Sequence, residues 1–125
     1  MGEIRHRQAE TSPEIEYAEI HIPDDQNLGC GTYRTVLKPN ALSKKEGIHS
    51  IMLNAPAFQI SVNINVRTRE IPVLVGKADG SDPRSRKTFI LPAEIDKSRA
   101  QTFVGTFENW QITGLALNEM PLVEK

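Results

Sequence analysis

The residues best spaced to do chemistry lie in FQISVNINVR, residues 58 to 67. Gln59, Ser61, Asn63, Asn65 and Arg67 take every second position, a polar register whose only charge is Arg67. An amide is donor and acceptor at once, so Gln59, Asn63 and Asn65 suit partners whose groups are also both, sugar hydroxyls above all. β-Sandwich lectins and binding modules use such faces with an aromatic ring stacked on the pyranose, and Trp110 is the ring this chain offers, an analogy of architecture alone. The ordinary use of such a face is simple solvation, or cover by the N-terminal residues. A long strand with little charge also invites a second chain along its edge, which makes a homo-oligomer or a docked protein surface the competing expectation.

Other residues support chemistry less well. His21, Asp24 and Asp25, with His6 or His49, would form an oxygen-and-nitrogen metal site, but their spacing matches no metal motif. Asp79-Gly80-Ser81-Asp82 resembles a calcium ligand pair without the twelve-residue loop and terminal acid, and reads as a turn. Cys30, flanked by Gly29 and Gly31, would be a nucleophile if His21 or His49 served as its base, yet it reads better as a small apolar residue in a tight turn. No glycine-rich phosphate loop, nucleophile elbow or paired-histidine zinc motif occurs, so the expectation leans away from catalysis and names no cofactor or metal.

Between residues 67 and 99 eight basic residues stand against five acidic ones, the only basic region. If the loops converged in a small barrel, Arg67, Arg69, Arg84, Arg86 and Lys87 would track single-stranded nucleic acid while Phe89, Phe103 or Trp110 stacked on its bases. That is the alternative function. It is disfavoured because the surplus is small and those aromatics alternate as core residues do.

These side chains need a scaffold, and the bulk composition limits it. With 125 residues, 38% apolar, 25% charged and a net charge of -1, the chain is one soluble domain with no overall field toward nucleic acid or an anionic membrane. One cysteine allows no intrachain disulfide, and the charged start MGEIRHRQAE lacks a secretory signal. No apolar run approaches the roughly 20 residues of a membrane span, so no membrane partner and a cytoplasmic location are expected.

Residues 1–13 read as a loose tail, followed by a single all-β domain over 14–125. EIEYAEIHIP is a half-buried strand and TYRTVL the next, with a turn between them. PNALSKKEG suits a short helical turn capped by Asn40, and IHSIML, FQISVNINVR and EIPVLVG are strands with Pro56 and Pro72 at boundaries. The polar run GKADGSDPRSRK is a loop, KTFIL a strand, and PAEIDKSRAQ a helix of one or two turns. TFVGTFENWQITGLALN holds two strands joined at Glu108-Asn109, and Phe103, Phe107, Ile112, Leu115 and Leu117 are core candidates.

About eight short strands without amphipathic crossovers predict an antiparallel β-sandwich, jelly-roll-like, with a small β-barrel as the alternative. The segment 58–67 should anchor it. As a helix it would mix apolar and polar groups on each face, whereas as a strand it buries Phe58, Ile60, Val62, Ile64 and Val66, contributing on the order of 10 kcal/mol at most.

Overall fold

Burial alternates with period two along β6 (Phe58–Asn65): Phe58, Ile60, Val62 and Ile64 are buried, while Gln59, Ser61, Asn63 and Asn65 are half-exposed. The computed structural model in which this is seen describes residues 3–6, 9–23, 29–43, 47–77 and 83–125. The register is enforced from both sides. A slip of one residue would expose four apolar side chains and bury four polar ones.

The other strands are β1 (Glu3–His6), β2 (Ala9–Thr11), β3 (Ile15–Pro23), β4 (Gly31–Leu37), β5 (Ile48–Asn54), β7 (Glu70–Lys77), β8 (Pro83–Ile90), β9 (Gln101–Glu108), β10 (Gln111–Leu117) and β11 (Met120–Pro121). They form a six-stranded sheet, β1-β3-β4-β9-β10-β11, and a five-stranded sheet, β2-β5-β6-β7-β8, with every pairing antiparallel. Inner side chains from both sheets form a single core in which the Phe58 ring of one meets the Phe107 ring of the other edge-on at 5.3 Å. Phe103, Phe107, Ile112, Leu115 and Leu117 are all buried there. The result is the expected antiparallel β-sandwich. The sheets stay separate, so the barrel alternative does not hold.

Local chemistry accounts for the departures from expectation. Residues 3–6 and 9–11, which composition left in a tail, pair with β3 and β5, one segment in each sheet. Pro72 lies inside β7 rather than at its boundary, because the β6–β7 ladder is interrupted between Val62↔Val73 and Asn65↔Glu70, where its missing N–H is not required. Among the described residues, helical structure is confined to a 3-10 turn at Ala41–Ser43. The helix expected over 92–101 is absent. There Ser98 donates both its N–H and its hydroxyl to Asp96 Oδ1, at 3.1 and 2.5 Å, and Gln101 Nε2 donates to the carbonyls of Asp96 and Arg99, so side chains satisfy the backbone in non-helical form. Those Ser98 bonds also hold the Asp96 carboxyl below its ordinary pKa.

One buried group is poorly served. The Tyr33 side chain is 1% exposed, and its hydroxyl has no hydrogen-bond partner among the described residues. Burial pushes its pKa well above the ordinary 10.0. A buried unpaired hydroxyl costs about 1–3 kcal/mol, so Tyr33→Phe is expected to leave stability unchanged or raise it by about 1 kcal/mol in urea unfolding at pH 7. Above pH 10 only the unfolded chain ionises this tyrosine, so wild-type stability falls as pH rises. The phenylalanine variant should lose that part of the alkaline decline. A variant markedly less stable at pH 7 would mean that the hydroxyl has a partner in solution.

Candidate recognition face on the five-stranded sheet

Strand parity assigns the outer face of the five-stranded sheet. With Ile51, Leu53, Val73 and Val75 directed into the core, β5 presents Ile48, Ser50, Met52 and Asn54 outward, β6 presents Gln59, Ser61, Asn63 and Asn65, and β7 presents Glu70, Pro72 and Leu74. Across β8, Arg86 stands opposite Leu74 and Thr88 opposite Pro72. No aromatic side chain is among these outward residues.

The amides bond to neighbours within the sheet and its turn. Asn63 accepts from the Ser50 hydroxyl at 2.9 Å across the β5–β6 pair and donates to Ser61 Oγ at 3.3 Å. Gln59 Nε2 donates to Asn54 Oδ1 at 3.2 Å, and Asn65 Oδ1 accepts the Thr68 N–H at 3.1 Å, closing the turn into β7. These cross-strand bonds stabilise the sheet and fix the amide orientations. They also use donors and acceptors that a sugar would need. Between the side chains lie shallow depressions: one of about 380 Å³ bordered by Ser50, Met52, Ser61 and Asn63, and one of about 430 Å³ bordered by Ile48, Asn65, Pro72 and Arg86, with Asn63 common to both.

Apolar side chains complete the face. Ile48 is 57% exposed and Leu74 36%, two of the four large hydrophobic side chains exposed among the described residues. Neither stands out in the sequence as a site residue. The available signal is parity, since once Ile51 and Val73 are assigned inward, Ile48 and Leu74 must face out.

Of the five residues singled out by sequence, Gln59, Asn63 and Asn65 share this face and Arg67 is exposed in the turn beyond it. Trp110 lies elsewhere. Glu108 pairs with Gln111, so the β9–β10 turn consists of Asn109 and Trp110 instead of Glu108-Asn109, with φ of 48° and 64°. The ring packs at 4.8 Å on Phe58 at the end of the sandwich, Arg84 lies over it at 5.2 Å, and the Trp110 backbone N–H donates to the Gly29 carbonyl at 2.8 Å. A side chain on Gly29, itself at φ +62°, would collide with the indole at 2.4 Å. Phe58 and Asn65 are seven residues apart on one strand, roughly 23 Å at about 3.3 Å per residue. Trp110 and Asn65 therefore occupy opposite ends of the molecule.

The other candidates are dispersed. His49 is buried, and its Nε2 donates to the Ala41 carbonyl at 3.0 Å. His21 Nε2 is 3.1 Å from Glu19 Oε1, and its side chain borders a depression of about 420 Å³ together with Cys30, Thr32 and Glu108, a juxtaposition that spacing did not reveal. Asp24, Asp25, the 79–82 loop and the His6 side chain lie outside the described residues. Among the described residues, no three His, Cys, Asp or Glu side chains group as metal ligands.

The cations do not converge. Arg67 and Arg69 lie in the β6–β7 turn, Arg84 covers Trp110 at the far end, Arg86 is on the outer face, and Lys87 pairs with Glu124 at 3.2 Å. No helix among the described residues is long and apolar enough to cross a membrane. Compared with known proteins, the chain matches no family model, no curated protein and no solved structure.

Proposed function

We propose that this protein is a non-catalytic binding and assembly module whose outer five-stranded face docks a protein surface. The observation that carries the reading is the make-up of that face: exposed Ile48 and Leu74 set among amides already bonded within the sheet, with Glu70 and Arg86 the charged residues among the outward side chains of β5 to β8 named above. Protein interfaces concentrate apolar contact where charge is depleted. A saccharide is the second reading, supported by the amides of Gln59, Asn63 and Asn65. It is weakened because no ring stands beside them and because Asn63 already spends its oxygen and its nitrogen within the sheet.

A photoreactive side chain at position 61, in the middle of the face, tests the reading in cells. Discrete protein adducts are expected, and the double substitution Ile48→Lys/Leu74→Lys should reduce them by about 10- to 100-fold, the effect of placing charge in an interface core worth roughly 1.4–3 kcal/mol. Binding on a glycan array without adducts would replace the protein reading by the saccharide one. Absence of both would reject the face as a recognition surface.

A further inference from the structure

We propose that residues 120–125 exchange between two copies of this chain, each copy's strap closing on the β8 edge of the other. The inference concerns the β8 edge, which shares Glu70 with the five-stranded face, and it does not depend on that face docking a partner.

In one copy the strap crosses from sheet to sheet. After β11, the Leu122 N–H donates to the Leu115 carbonyl at 2.9 Å; the Ile90 N–H then donates to Val123 O at 2.9 Å and the Lys125 N–H to Thr88 O at 2.7 Å, with Phe89 and Glu124 bridged between them. Glu124 meets Lys87 at 3.2 Å and Lys125 meets Glu70 at 2.6 Å. Leu122 is the only buried side chain of the segment, whereas Met120 is 47% and Val123 71% exposed. The strap is thus an added strand held by backbone bonds, two ion pairs and a single apolar anchor. A second copy supplies the same segment with the same chemistry.

The turn leading into the strap favours exchange. Leu117 pairs with Met120, so Asn118 and Glu119 form a two-residue turn with φ of 49° and 71°. Asparagine tolerates this region, but a glutamate there is strained. Asn118 is already fastened to β9, donating to Thr102 O and accepting the Thr102 N–H on its side chain, both at a register that continues β10. If β10 ran straight on through Glu119, these bonds would remain, the strain at Glu119 would be released, and the strap contacts would re-form on the partner. Exchange of identical elements through a strained hinge needs little new interface, and it closes about a two-fold axis. Protein concentration then sets the balance.

Charge reversal tests the exchange. Lys87→Glu and Glu124→Lys each set like charges against one another within a single copy, but in an exchanged pair formed from the two variants both contacts become attractive. Mixing the variants is expected to give a heterodimer by native mass spectrometry, enriched on the order of tenfold over the homodimers. Wild type should dimerise increasingly with concentration, Glu119→Gly should lower that dimer several-fold by relieving the turn, and Ile48→Lys/Leu74→Lys should leave it intact. Folded variants that remain monomeric when mixed would overturn the proposal. So would a wild type that stays monomeric at millimolar concentration.

Discussion

Gly105→Ala is expected to destabilise the protein by about 3 kcal/mol or more and to lower its melting temperature by roughly 10 °C, far beyond the usual effect of adding one methyl group in a strand. Tyr33 and Gly105 are direct partners across the β4–β9 pair. The tyrosine ring occupies the space over the glycine, so a Cβ at 105 would stand 2.0 Å from Tyr33 Cζ and 2.2 Å from its hydroxyl oxygen. Either the ring leaves a fully buried site or the two strands separate. An aromatic side chain laid across a cross-strand glycine is a recognised way to pin register, which here fixes β4 on β9 at the centre of the six-stranded sheet.

The measurement is urea unfolding of Gly105→Ala in the wild-type background and in Tyr33→Leu. The smaller side chain should absorb the added methyl, so the second cost should be smaller by about 1 kcal/mol or more, a coupling expected of residues in contact. Equal costs in both backgrounds would show that Tyr33 is not what forbids a side chain at 105.

What the sequence reveals follows from how local each determinant is. The rhythm of β6 is legible because apolar and polar residues alternate along one strand, and the buried set, Phe58, Ile60, Val62 and Ile64, is the set that alternation indicates. The turn at 109–110 is not legible in this way. Tryptophan rarely adopts a positive φ, and Trp110 is held there by Phe58, Gly29 and Arg84, all distant in sequence. The face is intermediate: parity places Gln59, Asn63 and Asn65 on one surface, but their internal bonds depend on which β5 residue lies opposite each. Register set Ser50 against Asn63 and Asn54 against Gln59. Pro72 is similar, since its place inside β7 depends on a gap in the neighbouring ladder that no single strand encodes.

Phe58→Ala carries the second large effect because this ring joins three parts of the fold. It begins β6, meets Phe107 of the opposite sheet at 5.3 Å and 74°, and supports Trp110 at 4.8 Å, over whose ring Arg84 also lies. Removing it leaves a cavity lined by two rings that β9 and its turn hold in place. The expected loss is about 3–5 kcal/mol, with Phe58→Leu milder because most of the volume remains. Trp110 is the chain's only tryptophan, so its emission reports on this site alone. In native buffer, emission from Phe58→Ala should shift to the red as water reaches the indole, while the Leu variant stays near wild type. A shift without loss of stability would mean that Trp110 is held by Arg84 and Gly29 and not by Phe58. A loss without a shift would place the cavity toward Phe107. The two together are what a ring shared between the sheet core and the end of the sandwich requires.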